Sequence, residues 1–330
     1  MCDIEVSVYC LAYNHEKYIR KALEGFVMQK TNFKYEVVIH DDASTDNTAQ
    51  IIREYEKKYP DIIKPIYQSE NQKSKGVSIK NRFMLPKMKG KYIAYCEGDD
   101  YWIDENKLQL QYDIMERYSD VYMCTHLVQC VNENSSKKEG LIPDLKYGLR
   151  ESGIISSEQI AKLLYDLDGY PFHTSSYFLR REVMESKLCN VLSGRINGDS
   201  IRVRTAMSLG NIYFINSIMS YRRLWTVGNW NSRMKKLDSE KKIAYIIRNI
   251  EGDILFDDST EHRFRKWILP NVYQRLYLIL RDYSAVVNSE IINRYRIQNW
   301  YRCFGDLKVL KKVLKYYRWR MKVLFSKKQN

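Results

Sequence analysis

The sequence predicts an α/β protein, a mostly parallel, doubly wound sheet followed by an α-helical C-terminal region. Three observations predict it. Short β-rich apolar runs alternate with segments of helical period over the first hundred residues. Polar, acidic clusters follow the second and fourth of those runs, where open α/β sheets bind ligands. After about residue 232 the pattern is helical throughout and strongly basic.

The first run, Val6-Ser7-Val8-Tyr9-Cys10-Leu11, is of the kind buried in a parallel sheet. Asn14 can cap a helix whose apolar residues Ile19, Ala22, Leu23, Phe26 and Val27 share one face. Tyr35 to Ile39 forms a second strand and enters His40-Asp41-Asp42-Ala43-Ser44-Thr45-Asp46-Asn47-Thr48, a turn rich in capping residues. Ile51, Ile52, Tyr55 and Tyr59 mark the next helix. Ile62 to Tyr67 is a third strand, placed at an edge by Pro65. Lys91 to Cys96 is a fourth, ending at Glu97-Gly98-Asp99-Asp100. Residues 131–153 read as an exposed connection, a candidate flap.

Composition narrows the class. The 330 residues are 45% hydrophobic and 28% charged, enough apolar matter for a real core. No apolar run is long enough to span a bilayer, and the acids at Asp3 and Glu5 stand where a signal peptide carries bases. The seven cysteines form no CxxC pair, and the five histidines show no zinc-ligand spacing, which predicts neither a disulfide framework nor a zinc cage. A reduced, cytoplasmic protein is expected. Charge is unevenly spread: residues 1–231 hold 31 Lys and Arg against 30 Asp and Glu, and residues 232–330 hold 23 against 10. The expected division is a domain over 1–231, with halves about 1–125 and 126–231, and a basic helical region over 232–330. Such a tail points to an anionic partner, membrane headgroups or nucleic acid.

No GxGxxG and no GxxxxGK[ST] occurs, so a nucleotide's phosphates are not held by a glycine-rich helix start. Asp99 and Asp100 offer hard oxygen ligands to Mg²⁺ or Mn²⁺ against a diphosphate. The same pair also reads as a solvated turn before the helix that starts near Asp104.

Val6 to Asn14, Val37 to Asp46 and Gly90 to Asp100 resemble the three ordered signatures of glycosyltransferase family 2. The resemblance covers residues 4–230 and is strongest to about 125. It implies a GT-A fold, binding of a nucleotide-sugar, and transfer with inversion at the anomeric carbon. Carried over by position, Ala12 and Tyr13 flank the nucleobase, with Tyr13 able to stack on it. One of Asp41 and Asp42 accepts the base N–H, Asp42 being favoured. Glu97-Gly98-Asp99 stands where the family has its DXD motif, with Asp99 the main metal ligand and Glu97 a departure from the usual Asp. Trp102 borders the sugar pocket or is plain core.

Further along, His173-Thr174-Ser175-Ser176 and Gly198-Asp199 resemble acceptor-side segments, and Tyr221-Arg222 the segment after them. Asp199 is the implied general base, opposite the leaving group, with helix N-terminus as its other reading. His173 is an acceptor contact or a hydrogen-bonded core histidine. A histidine often found two residues after Tyr-Arg is replaced here by Leu224, ahead of a loop bearing Trp225 and Trp230.

In the tail, Ile243, Ile246, Ile247, Ile250 and Ile254 recur at helical spacing, and Trp267 to Val287 follows, interrupted by Pro270. Lys308 to Asn330 carries nine Lys or Arg and no acid, with Leu310, Val313, Leu314, Tyr317, Met321, Leu324 and Phe325 on one face. A basic amphipathic helix of this kind suits an anionic membrane surface. No RNA- or DNA-binding motif accompanies the charge, so no nucleic-acid partner is expected. The expected function is a metal-dependent inverting transfer from a nucleotide-sugar donor, UDP-hexose or UDP-N-acetylhexosamine, to a glycan or lipid-linked glycan acceptor. It belongs to cell-surface polysaccharide synthesis (capsule or O-antigen), peripheral on the inner face of the plasma membrane. The alternative is a catalytically inactive nucleotide-sugar-binding or scaffold protein.

Overall fold

A computed structural model describes residues 4–132, 137–167, 171–224 and 238–282. Its core is one ten-stranded sheet. Strand β1 (Ile4–Ala12) lies between β2 (Lys34–Asp41) and β4 (Tyr92–Tyr95), and β3 (Ile63–Tyr67) forms the edge beyond β2. All four run parallel. Past β4 come β9 (Phe178–Arg180), β6 (Val121–Asn132), β10 (Asn211–Leu224) and β5 (Tyr101–Trp102). Strand β9 is antiparallel to both neighbours, so β6 and its parallel partner β10 share the direction of β4.

Val6, Val8, Cys10 and Ala12 alternate onto one face with Val37, Ile39, Tyr92, Ala94 and Cys96. Helices α1 (Ile19–Val27), α2 (Thr48–Lys58) and α3 (Lys107–Arg117) supply Ile19, Ala22, Leu23, Phe26, Ile51, Ile52, Leu108 and Met115 to the same cluster. Each fully buried large apolar side chain is worth roughly 1.5–3 kcal/mol. Val38, Ile93 and Tyr95, on the opposite face, are buried as well, as a doubly wound sheet requires.

Two expectations change in detail. Helix α1 starts at Ile19 rather than beside Asn14. Asn14 adopts φ 55° and its side chain accepts from the Thr45 amide at 2.8 Å, so it ties two loops together instead of capping. Residues 131–153 are not all connection. Strand β7 (Lys138–Ile142) pairs antiparallel with β6, and β8 (Gly153–Ile155) pairs with β10. These short, partly charged strands satisfy backbone groups at the sheet margin.

After β8 come α4 (Ser157–Asp166), α5 (Arg181–Glu185), α6 (Lys187–Val191) and α7 (Gly198–Leu209), then α8 (Ser239–Ser259) and α9 (Arg265–Asp282) beyond β10. The chain resolves into two compact units, and the second is not a simple tail. Among the described residues it joins 164–167 and 190–201 to 238–282, leaving the sheet in the first. Within the second unit, Ile196 occupies the space that a side chain at Gly252 of α8 would need. The Tyr165 hydroxyl donates to the fully buried Asp253, which also pairs with Arg275 at 2.6 Å. Asp238 caps α8 by accepting from the Lys241 amide. Pro270 sits inside α9 after its first turn and costs one hydrogen bond without ending it. Asp257, Asp258 and His262 bring donor atoms within cation-sharing distance, but the Arg265 guanidinium fills that role, 2.9 Å from the Asp257 carboxylate.

Among the described residues no helix is long and apolar enough to cross a membrane. The basic segment from Lys308 to Asn330 and the loop bearing Trp225 and Trp230 lie outside the described residues.

Candidate active site

The carboxyl ends of β1, β2 and β4 are laced into one rim. The Asp42 amide donates to the Ala12 carbonyl at 3.0 Å, and the Gly98 amide to the Leu11 carbonyl at 3.0 Å. Side chains complete the lacing between the loops after β1 and β2. The Asn14 amide donates to Ser44 Oγ, the His15 amide to Thr48 Oγ1, and the Glu16 amide to Asp46 Oδ2. The polar run from Asp41 to Thr48 thus does more than start a helix.

Ala12 is buried at the rim and Tyr13 beside it is 45% exposed, an aromatic face open to a planar ligand. The two acids after β2 diverge. Asp41 accepts from the Ser44 hydroxyl at 2.5 Å and borders a cavity of about 500 Å³ lined by Ser44, Asp46, Arg53, Tyr67 and Gln68. Asp42 accepts from the backbone amides of Gln72 and Lys73 at 2.8 and 3.1 Å. Both acids are buried.

At the end of β4, residues 97–100 form a tight turn closed by the Asp100 amide on the Glu97 carbonyl. Glu97 is exposed, Asp99 half-buried and Asp100 buried. Gly98 is the residue the packing demands, since a Cβ there would lie 2.8 Å from both His15 Nδ1 and Ile19 Cδ1. Burial lowers the His15 pKa, against the pull of the Asp99 charge. The carboxylates of Glu97 and Asp99 form a hard, all-oxygen donor set on one short turn, which fits a Mg²⁺ or Mn²⁺ ion that keeps waters and takes the rest of its ligands from a diphosphate.

The pair Asp99-Asp100 therefore splits. Asp100 turns inward, accepting from the Arg223 amide at 2.9 Å, with its other oxygen 3.7 Å from His173 Nε2. Burial, reinforced by the Asp99 charge, raises its carboxyl well above the usual range. As a second metal ligand it is badly placed. Burial, with Arg222 nearby, holds the His173 pKa well below that of a free histidine.

Trp102 is 2% exposed. Its ring meets Phe26 edge-on, with centroids 5.0 Å apart, and its indole N–H donates to the Ser175 carbonyl at 2.9 Å. This is the core reading of that residue, and it offers no face to a sugar. Asp199 stands in the first turn of α7 and is half-buried, a position the helix dipole favours for an acid.

Sequence reasoning missed Arg223 and Lys107. The Arg223 guanidinium lies 4.5 Å from the Tyr101 ring centroid and donates to the Asp99 carbonyl at 2.6 Å. Its signal was available: it adjoins the quoted Tyr221-Arg222, and strand alternation puts 221 and 223 on one face. Lys107 is fully buried, its ammonium 2.6 Å from Gln111 Oε1 and 4.1 Å from the Trp102 ring centroid. Nothing in the pattern of α3 marks it. Burial lowers its pKa from the ordinary 10.5 to about 7. The unfolded chain then binds a proton between about pH 7 and pH 10 that the folded chain releases, so this group makes stability rise across that window. Urea unfolding of wild type and Lys107→Met should diverge with pH, wild type gaining up to about 3 kcal/mol on the variant between pH 7 and 9.5. Parallel stability curves would show that Lys107 titrates as an ordinary lysine. The described cysteines at 10, 96, 124, 130 and 189 are free and buried; burial raises the Cys10 and Cys96 thiols well above their usual range, which suits core filling and not nucleophilic chemistry.

A parallel sheet whose strand ends gather an exposed aromatic, an acidic pair and a carboxylate turn is the arrangement of a GT-A glycosyltransferase domain. TarS of Staphylococcus aureus in complex with UDP-GlcNAc has this fold: TM-score 0.59, 17% identity, covering 87% of this chain and 77% of that one. The chain belongs to glycosyltransferase family 2, whose model, "Glycosyl transferase family 2", matches residues 7–186. An uncharacterised protein of Mycobacterium tuberculosis is 41% identical over 138 residues, 42% of this chain and 39% of that protein. This chain thus spans about two fifths of that relative's length through the match. The UDP-Glc:alpha-D-GlcNAc-diphosphoundecaprenol beta-1,3-glucosyltransferase WfgD of Escherichia coli is 26% identical over 232 residues, 69% of this chain and 86% of WfgD.

Proposed function

We propose that this glycosyltransferase is inverting and divalent-metal-dependent, taking a hexose or N-acetylhexosamine from a UDP-sugar to a lipid-linked glycan acceptor in cell-surface polysaccharide synthesis. The observation that carries the reading is the joined rim: Tyr13, Asp42 and Glu97–Asp99 occupy three strand ends held together by the amides of Asp42 and Gly98. Tyr13 stacks on the base, Asp42 takes its ring N–H on a remaining lone pair, and Asp41 braces the loop through Ser44. The metal would be held by Asp99, with Glu97 beside it, and when bound it supplies charge neutralisation for the departing diphosphate. Asp199 is assigned the proton of the acceptor hydroxyl, a role resting on the likeness of Gly198-Asp199 to the family's acceptor-side segment. The UDP-GlcNAc in the TarS complex and the UDP-Glc and undecaprenyl diphosphate in the name of WfgD support the donor and acceptor classes. The basic C-terminal region, 232–330, then meets anionic headgroups where such acceptors reside.

The test is a thermal-shift screen of nucleotides and nucleotide-sugars with and without Mn²⁺. A ligand that binds only the native state raises Tm with its concentration relative to Kd. UDP or one UDP-sugar should raise Tm by several degrees only when Mn²⁺ is present. No shift with any nucleotide at millimolar concentration would overturn the reading; a metal-independent shift would remove the metal from it.

A further inference from the structure

We propose that Asp100 and His173 are positioning residues: they form a buried clamp that aims the Glu97–Asp99 turn, and neither touches the donor. The inference rests on the donor-site reading above and goes beyond it.

The Glu97–Asp100 turn is closed by the Asp100 amide on the Glu97 carbonyl and tied to β1 by the Gly98 amide on the Leu11 carbonyl. Two fixings come from far along the chain. Arg223 grips the turn twice, its guanidinium on the Asp99 carbonyl at 2.6 Å and its backbone amide on Asp100 Oδ1 at 2.9 Å. Arg223 is itself 7% exposed and lies against Tyr101 and Tyr18. The second fixing is His173, whose Nε2 stands 3.7 Å from Asp100 Oδ2.

The imidazole's tautomer follows from its partners. The Ser175 amide N–H points at His173 Nδ1 at 3.3 Å, so Nδ1 accepts and the ring proton of the neutral histidine sits on Nε2, facing Asp100. The segment carrying the ring is itself held by neighbouring elements. The Ser175 hydroxyl meets Ser220 of β10 at 2.8 Å, its carbonyl accepts from Trp102, and Ser176 meets Thr125 of β6 and Gln111 of α3. A carboxyl group 5% exposed must find hydrogen-bond partners for its oxygens or the turn would relax to let it reach water. The Arg223 amide is one such partner, at 2.9 Å, and the His173 Nε2–H faces the other oxygen from 3.7 Å, a distance that a small shift of the turn closes to a hydrogen bond. Asp100 thereby converts the rigidity of β10 and of the 173–176 segment into a fixed direction for Asp99, its neighbour in the chain.

The test uses the full chain and two probes, Mn²⁺ and UDP, with Mn²⁺ affinity read by electron paramagnetic resonance and UDP affinity by calorimetry. His173→Leu removes the N–H facing Asp100, and His173→Gln restores one near the position of Nε2. A positioning role predicts that His173→Leu weakens Mn²⁺ binding in the presence of UDP about tenfold or more, as loss of a ligand's supporting partner does. His173→Gln should recover most of that loss. UDP binding without Mn²⁺ should be alike in all three proteins. Asp100→Asn, which sets an amide against either the Arg223 N–H or the imidazole N–H, should match His173→Leu. Unchanged Mn²⁺ affinity in His173→Leu overturns the proposal, as does a Gln variant no better than Leu, which would make His173 merely structural. If wild type binds no UDP under any condition, the donor-site reading itself fails, an outcome distinct from wild type and variants binding alike.

Discussion

Asp199→Asn is expected to lower kcat for sugar transfer about 10³-fold while leaving the Mn²⁺-dependent affinity for UDP within a factor of two. The amide keeps the size and one acceptor oxygen of the carboxylate, so the first turn of α7, where Asp199 stands half-buried, has no reason to unfold. What it loses is the capacity to take a proton. In a single in-line displacement the acceptor hydroxyl must shed its proton as the new bond forms, and a positioned base contributes typically 10²- to 10⁴-fold. Placement carries much of that factor, so Asp199→Glu should also be slow, by at least tenfold, although its basicity is hardly altered. The measurement is steady-state transfer with the donor that the thermal-shift screen identifies. A kcat within tenfold of wild type for Asp199→Asn would sink the assignment.

Asp99→Ala should abolish the Mn²⁺-dependent part of UDP binding, a loss of about 100-fold or more, and should do so without lowering the melting temperature of the unliganded protein. The first half follows from the donor set: Glu97 alone is one exposed carboxylate, and an ion that dehydrates reluctantly gains little from it. The second half follows from electrostatics. Three acids crowd four residues, and the Asp99 charge is among the influences that raise the Asp100 carboxyl. Removing Asp99 relieves that repulsion and also removes its pull on His15, so the apo variant should melt close to wild type. A variant that melts many degrees lower would mean that Asp99 is structural, and its loss of binding would then say nothing about metal. Calorimetry with UDP, with and without Mn²⁺, read beside a ligand-free melt, separates the two.

Much of the donor half was legible because its signals are local. Strands β1, β2 and β4 are runs whose alternate residues are buried from both sides, and α1 carries its apolar residues at helical spacing. The order of polar clusters along the chain marked the site for the same reason, since in a parallel sheet each strand delivers its carboxyl end to one edge. Asn14 was misread as a cap because the residue type serves equally well as a loop tie, and only the neighbouring loop's Thr45 amide makes the difference. Trp102 could line a pocket or fill a core; the approach of Phe26, Lys107 and Ser175 makes it core. The boundary near residue 231 followed charge, which reports solvent-facing character and not which helix packs on which. Residues 164–167 and 190–201 join the second unit through Tyr165, Asn197 and Ile196, contacts that no local pattern announces.

The sequence by itself determined the α/β class, the parallel strands around β1, the helical character of the described C-terminal region, and the family, since each is written in residue spacing within a few turns or strands. Tertiary structure alone decided that β9 enters antiparallel between β4 and β6, and that Asp99 and Asp100, identical neighbours in the chain, part ways. Asp100 is drawn inward by an amide 123 residues distant, and its other oxygen faces an imidazole from a third segment. A buried carboxylate goes wherever donors await it, and the order of strands in the sheet fixes where those donors are.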